Sequence, residues 1–99
     1  MSCYIVFIRE QTHDPAEMKI YADSVPASLE GVDVKFLAAF GPQTVLEGPE
    51  PEGVSICEFP DVEAAKAWYH GPLYQKAVQH RFRGATYRAI IVEAFDGSI

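Results

Sequence analysis

Cysteine is scarce in this 99-residue chain: Cys3 and Cys57 are the two present, far apart, with no CxxC and no Cys/His cluster. That excludes a disulfide framework and gives no zinc site. Both stand inside apolar runs, where a free thiol behaves as a small hydrophobe, and Cys57 has no obvious activating neighbour. Cations are scarce as well. Eight Lys and Arg against 14 Asp and Glu leave a net charge of -6, which argues against a general nucleic-acid binder. No GxGxxG or other phosphate-cradling loop occurs, no pair of histidines stands at ligand spacing beside an acid, and no Ser-His-Asp arrangement can be drawn. The expectation is a protein with no cofactor and no metal. The run from Cys3 to Ile8 is far too short to span a membrane, and the opening Met-Ser-Cys-Tyr lacks the basic segment of a signal peptide. A cytoplasmic location without membrane partners is expected.

What is present reads as one domain over residues 1–99, with ordinary globular values of 48% hydrophobic and 22% charged residues. Cys3 to Ile8, rich in β-branched and aromatic residues, predicts a strand buried on both faces. Asp14-Pro15-Ala16-Glu17 predicts a helix start, with Asp14 as cap and Glu17 returning a bond to it. Met18, Tyr21, Ala22, Val25 and Leu29 form its apolar stripe, Pro26 is expected to kink or restart it, and Gly31 to end it.

Val34 to Phe40 predicts a second strand, with Val34, Phe36, Ala38 and Phe40 on one side and Lys35, Leu37 and Ala39 on the other. Thr44 to Glu47 reads as a short continuation and Gly48 to Gly53 as a turn. Val54 to Phe59 predicts a third strand, the hairpin partner of the second. Asp61 caps a second helix with Val62, Ala65, Trp68 and Tyr69 inward. His70-Gly71-Pro72 stops it, a further helix runs from Pro72 through Arg81, and Thr86 to Phe95 is the last strand, followed by a frayed or surface-held tail from Asp96 to Ile99.

The order β-α-β-β-α-β is the split βαβ, or ferredoxin-like, α+β arrangement: a four-stranded antiparallel sheet with both helices on one face. The strands then say more than fold. The first strand does not alternate, Leu37 and Ala39 oppose Phe36 and Phe40, and Ile90-Ile91-Val92 runs unbroken, so apolar side chains project from both faces. A bare apolar sheet face is a large patch that soluble monomers avoid. The expected cover is the same face of a second copy about a two-fold axis; the alternative is burial under the chain's own loops.

Four stretches carry a family resemblance: Val45-Leu46-Glu47-Gly48, Cys57 through Ala65, Trp68-Tyr69-His70-Gly71-Pro72-Leu73-Tyr74-Gln75, and Ile91-Val92-Glu93. In combination they resemble the small bacterial proteins of domain of unknown function 1330, in the dimeric α/β-barrel superfamily, over Tyr4 to Phe95. The family often has a serine where His70 or Gly71 stands here, and a paired glycine where this chain has Gly31-Val32. The resemblance implies a ferredoxin-like protomer and a homodimer whose sheets form a barrel, and it implies no settled activity. Cousin families include cofactor-free monooxygenases, lactone isomerases and haem-handling enzymes, whose ligands often sit between sheet and helices.

The candidate site residues are read beside their plainer roles. His70, at a break between helices, can act as a general acid or base, or simply end a helix. Glu58 is either a carboxylate forced toward an apolar cleft, and so a base, or the partner of an arginine such as Arg88; Glu93 carries the same ambiguity. Tyr69, Tyr74 and Trp68 either wall a cleft or fill the core. His80 with Arg81 can bind a carboxylate or form a solvated helix end, Arg81, Arg83 and Arg88 form an anion-facing patch or a solvated edge, and His13 reads as surface. Two functions follow. One is a homodimeric binder or enzyme for a small, partly apolar organic acid or aromatic compound, walled by Phe40, Trp68, Tyr69 and Tyr74, with His70, Glu58 or an arginine (Arg88 among them) as polar handle. The other is a non-catalytic structural or regulatory dimerisation module.

Overall fold

The computed structural model describes residues 2–97, so Ser98 and Ile99 of the expected tail lie outside the described residues. The elements are β1 (Cys3–Thr12), α1 (Pro15–Ser28), β2 (Lys35–Ala39), β3 (Gly53–Phe59), α2 (Val62–Tyr69), α3 (Pro72–Gly84) and β4 (Ala85–Glu93). They form one antiparallel sheet in the order β2-β3-β1-β4, the ferredoxin-like arrangement with its second helix broken in two.

β1 runs four residues beyond the expected Ile8, because a register shift between Arg9 and Gln11 lets its polar end pair with the start of β4, Gln11 opposite Thr86 and Thr12 opposite Ala85. It also alternates. Cys3, Ile5 and Phe7 are buried under the helices, while Tyr4, Val6 and Ile8 are half-exposed on the other face. β2 departs from its expected alternation through a second irregularity between Phe36 and Ala38. Phe36 stands opposite Cys57 and Ala39 opposite Ser55, on the helix side, whereas Lys35 opposes Glu58 and Ala38 opposes Ile56 on the bare side. Thr44 to Glu47 pairs with nothing and belongs to the loop between β2 and β3.

Asp14 caps α1, its carboxylate accepting from the N–H groups of Ala16 (3.0 Å) and Glu17 (3.4 Å). Glu17 does not complete the expected capping box: it reaches across to α3, where it meets His80 (2.6 Å) and Arg83 (3.4 Å). α1 does not restart at Pro26 but runs on to Ser28; the proline removes the bond an N–H there would give to the Ala22 carbonyl, with two helical residues left beyond it, and the chain leaves through Gly31 at φ 72°. Asp61 caps α2 through the Ala64 N–H at 2.7 Å. α3 extends past Arg81 to Gly84, whose carbonyl accepts from His13 N (2.7 Å) and Asp14 N (3.0 Å). A Cβ at Gly84 would come within 3.1 Å of Glu17 and Met18, so glycine is what lets α1 begin against the end of α3.

All three helices cover one face. The core lies between Cys3, Ile5, Phe7, Cys57 and Phe59 of the sheet and Ala65, Trp68, Tyr74 and Val78 of α2 and α3. The other face carries Tyr4, Val6, Ile8, Val54, Ile56, Ile90 and Val92, with Ile90 40% and Val92 48% exposed, and nothing in the described protomer covers it.

Candidate functional site

Under α2 and α3 the aromatic residues interlock. The Trp68 ring lies 4.1 Å from that of Tyr74 and 5.6 Å from that of Phe59, and meets Phe7 edge-on at 6.3 Å. Its indole N–H donates to Ser28 Oγ at 3.1 Å, and that hydroxyl donates to the Val25 carbonyl at 2.6 Å. Under α1 there is space instead. A cavity of about 530 Å³ opens between Tyr21, Ala22, Val25, Pro26 and Leu29 of α1 and Phe7, Phe36, Ser55, Cys57 and Tyr87 of the sheet, with Trp68 as its back wall and Phe40 and Glu30 on its lining. Its walls are almost wholly apolar and aromatic, the character of a small-molecule site.

Phe40 is held there in an unusual way. It has φ 57°, a left-handed conformation in which a bulky residue is an outlier. Its ring lies on Gly53 so closely that a Cβ at that glycine would come 2.7 Å from Phe40 Cδ1. The Arg9 guanidinium covers the ring at 4.7 Å. Arg9 is neutralised, because its Nε lies 3.2 Å from Glu52 Oε1, at ion-pair distance though not aligned as a hydrogen bond. Glu52 is tied down further by the Thr12 hydroxyl (2.6 Å) and N–H (2.9 Å), and these bonds, with Arg9, lower its pKa.

Arg81 is different. It is 3% exposed, and its Nε and Nη1 are enclosed with no hydrogen-bond partner. The guanidinium lies 4.6 Å from the ring centre of Tyr87, 5.5 Å from Phe82, 5.6 Å from Phe7 and 5.8 Å from Tyr21. Burying an unpaired charge costs several kcal/mol; cation–π contacts of about 0.5–2 kcal/mol each offset that cost, but they leave the enclosed N–H donors without an acceptor. Three of the four rings, Phe7, Tyr21 and Tyr87, also wall the cavity, so the charge stands directly behind its lining.

The thiol and phenols of the lining are neutral at physiological pH, and Glu30 is the acid on it. Burial pushes the Cys57 thiol up to about 11, so no thiolate nucleophile is available there. Burial also raises Tyr21, Tyr74 and Tyr87, which keeps their phenols protonated as donors; the Tyr21 and Tyr74 hydroxyls bond each other at 2.7 Å.

The sequence candidates are distributed unevenly around this space. Phe40 and Trp68 line it. Tyr74 is 1% exposed and fills the core. Tyr69 packs 5.3 Å from Tyr74 and borders, with His70, a separate hollow of about 250 Å³ against Ile5, Ala89, Ile90 and Ile91. His70 is exposed, caps α2 through its N–H to the Lys66 carbonyl at 2.9 Å, and sets its ring edge-on to Tyr69. Glu58 and Arg88 are on the bare face, Glu58 opposite Tyr4 and Lys35, Arg88 opposite Ile8 four positions along, so they do not meet within the protomer. Glu93 ends β4 opposite Cys3, exposed. His13 is exposed and bonds Thr86 Oγ1 at 2.6 Å. His80 and Arg81 do not act together: His80 turns to Glu17 while Arg81 turns inward. Tyr21, Tyr87 and Ser55 were not singled out as site residues from the sequence, and Arg81 was offered there with His80 or with Arg83 and Arg88, for a carboxylate or other anion or as a solvated end. Arg81 had a readable signal, for it follows Tyr74, Ala77 and Val78 on the apolar stripe of α3, where a solvated arginine has no place.

Among the described residues no helix is long and apolar enough to cross a membrane, and no three His, Cys, Asp or Glu gather as a metal site. Solved structures share the fold. A protein of unknown function from Rhodopseudomonas palustris superposes with a TM-score of 0.72 at 21% identity, over 96% of this chain and 83% of that one. A dimeric ferredoxin-like protein of unknown function from Jannaschia sp. CCS1 gives 0.65 at 16%, over 95% and 100%. SnoaB, a cofactor-independent oxygenase from Streptomyces nogalater, gives 0.56 at 13%, over 96% and 93%. At these identities the likeness is one of fold. No curated protein matches the sequence. A family model does match, and it spans residues 2–95, nearly the whole fold just described: the chain belongs to the family Domain of unknown function (DUF1330).

Proposed function

We propose that this protein is a cytoplasmic homodimer, joined through the bare faces of its two sheets, that binds or transforms a small, partly apolar organic acid or aromatic compound in the cavity beneath α1. The carrying observation is that cavity of about 530 Å³, walled by aromatic side chains between α1 and the sheet. The dimer is supported by the uncovered Val6, Ile56, Ile90 and Val92 face and by fold relatives described as dimeric. The reading needs no cofactor, metal or nucleic acid.

Trp68 is the one tryptophan and lines the cavity, so its emission reports occupancy. Mono- and bicyclic aromatic compounds titrated into the protein should shift that emission saturably. Ala22→Phe, which fills the space from an exposed position on α1, should abolish the shift without lowering the melting temperature. A flat response across the panel would favour the second reading, a non-catalytic dimerisation module, for which the interlocked Trp68–Tyr74 half of the core speaks.

A further inference from the structure

We propose that the ligand of this cavity is a carboxylate, and that Arg81, behind the wall of Phe7, Tyr21 and Tyr87, takes its head group between those rings while the aromatic walls hold its apolar body. The proposal rests on the cavity reading above and narrows it from an organic acid or aromatic compound to a monoanionic carboxylate held by a named residue.

Three observations carry it. Arg81 is almost completely buried, with Nε and Nη1 lacking any partner, and a guanidinium cannot escape by losing its proton. Its neighbours are rings, and among the described residues no carboxylate lies at ion-pair distance from it. Arg9, Lys19 and Arg83 each have one, Glu52, Asp23 and Glu17 respectively, so acids were within the chain's means and none was placed here. Finally, Phe7, Tyr21 and Tyr87 belong both to the cage around Arg81 and to the cavity wall.

A buried cation without an anion costs stability, and a ligand that brings the anion recovers it. The planar fork favours a carboxylate, which it can hold through two parallel bonds. Arg9, the other guanidinium at Tyr87, is already answered by Glu52, so the one unanswered charge suits a single negative charge rather than a phosphate dianion. The neutral Tyr21 and Tyr87 phenols are further donors on the same wall.

The test uses 2-naphthoate and its neutral isostere 2-naphthamide, with binding read by Trp68 emission and calorimetry. The full-length protein should bind the acid at least tenfold more tightly than the amide. Arg81→Met should bring the acid down to the level of the amide, leave amide binding within twofold, and melt no lower than the parent. Arg81→Lys, which keeps the charge and loses the fork, should retain part of the preference. Equal binding of acid and amide to the parent protein overturns the assignment even if Arg81→Met does not fold, and leaves the cavity reading standing. Failure of both compounds to bind overturns the cavity reading together with it. A preference that survives in Arg81→Met places the anion elsewhere and overturns it too.

Discussion

Under the helices, the sheet has a half where aromatic rings interlock and a half where they stand around a cavity. Beneath α2 and α3, Ala65 lets the helix approach closely, and Trp68, Tyr74 and Phe59 take up the volume. Beneath α1, Ala22 and Pro26 face Phe36 and Phe40, which remain 51% and 40% exposed. Phe40 is drawn away onto Gly53 and under Arg9 by a backbone conformation that a phenylalanine rarely takes. Aromatic content therefore does not predict packing. What decides is whether the facing helix offers a large side chain or a small one, and where a strained residue turns its ring.

The sharpest way to break the comparison is to truncate one ring in each half. Trp68→Ala should cost about 3–5 kcal/mol, as large core deletions do, and lower the melting temperature by well over ~10 °C at roughly 4–8 °C per kcal/mol. Phe36→Ala should cost less than ~1 kcal/mol, since its ring is already half in solvent. Equal losses in thermal unfolding would mean that the cavity is not open in solution.

The third surface, the bare face, should respond in association rather than folding. Ile90→Lys should weaken the proposed dimer by roughly tenfold or more, seen as a shift to monomer in sedimentation, with an unchanged circular dichroism spectrum. A variant that stays dimeric would move the contact off this face.

Cys57 separates access from reactivity. Cys57 is among the residues that line the cavity, yet it is buried and its thiol is pushed up to about 11, so alkylation of the native protein at pH 7.5 should be slow and become fast on unfolding. Rapid native labelling would contradict the buried, protonated thiol.

The smallest effect lies at the contact between α1 and α3. The hydrogen bond from His80, together with Arg83, lowers the Glu17 pKa below the usual carboxylate range. A depressed folded-state pKa contributes stability above the unfolded value of about 4.5, and that contribution is lost as pH falls through the folded one. Glu17→Gln should therefore lower the melting temperature slightly at pH 7 and not at all in strong acid. An equal loss at both pH values would rule out the ionic contribution.

Much of the fold was legible because local signals agreed. Asp14 and Asp61 stand where caps belong, Pro15 and Pro72 open helices, and the apolar stripes of α2 and α3 point inward as spaced. The misses came where one residue changes register. The irregularities after Arg9 and Phe36 lengthened β1 and switched which residues of β2 face the helices, and alternation cannot anticipate an inserted residue. The site was less legible for a similar reason. Phe40 and Trp68 reach the cavity, but Glu58 and Arg88 fall on the opposite face by strand parity, and His70 is carried to the far side of α2. Arg81 was read with its neighbour His80, to bind a carboxylate or to form a solvated helix end, although helical spacing parts the two and puts Arg81 in line with Tyr74 and Val78.

The most direct measurement is a set of intermolecular nuclear Overhauser effects between 2-naphthoate and the labelled protein. Contacts to Phe7, Tyr21, Phe36 and Tyr87, with the carboxylate end nearest Arg81 and none to Val6, Ile56 or Ile90, are the predicted result. Contacts confined to the bare face, or to the His70 hollow beside β4, would contradict the account.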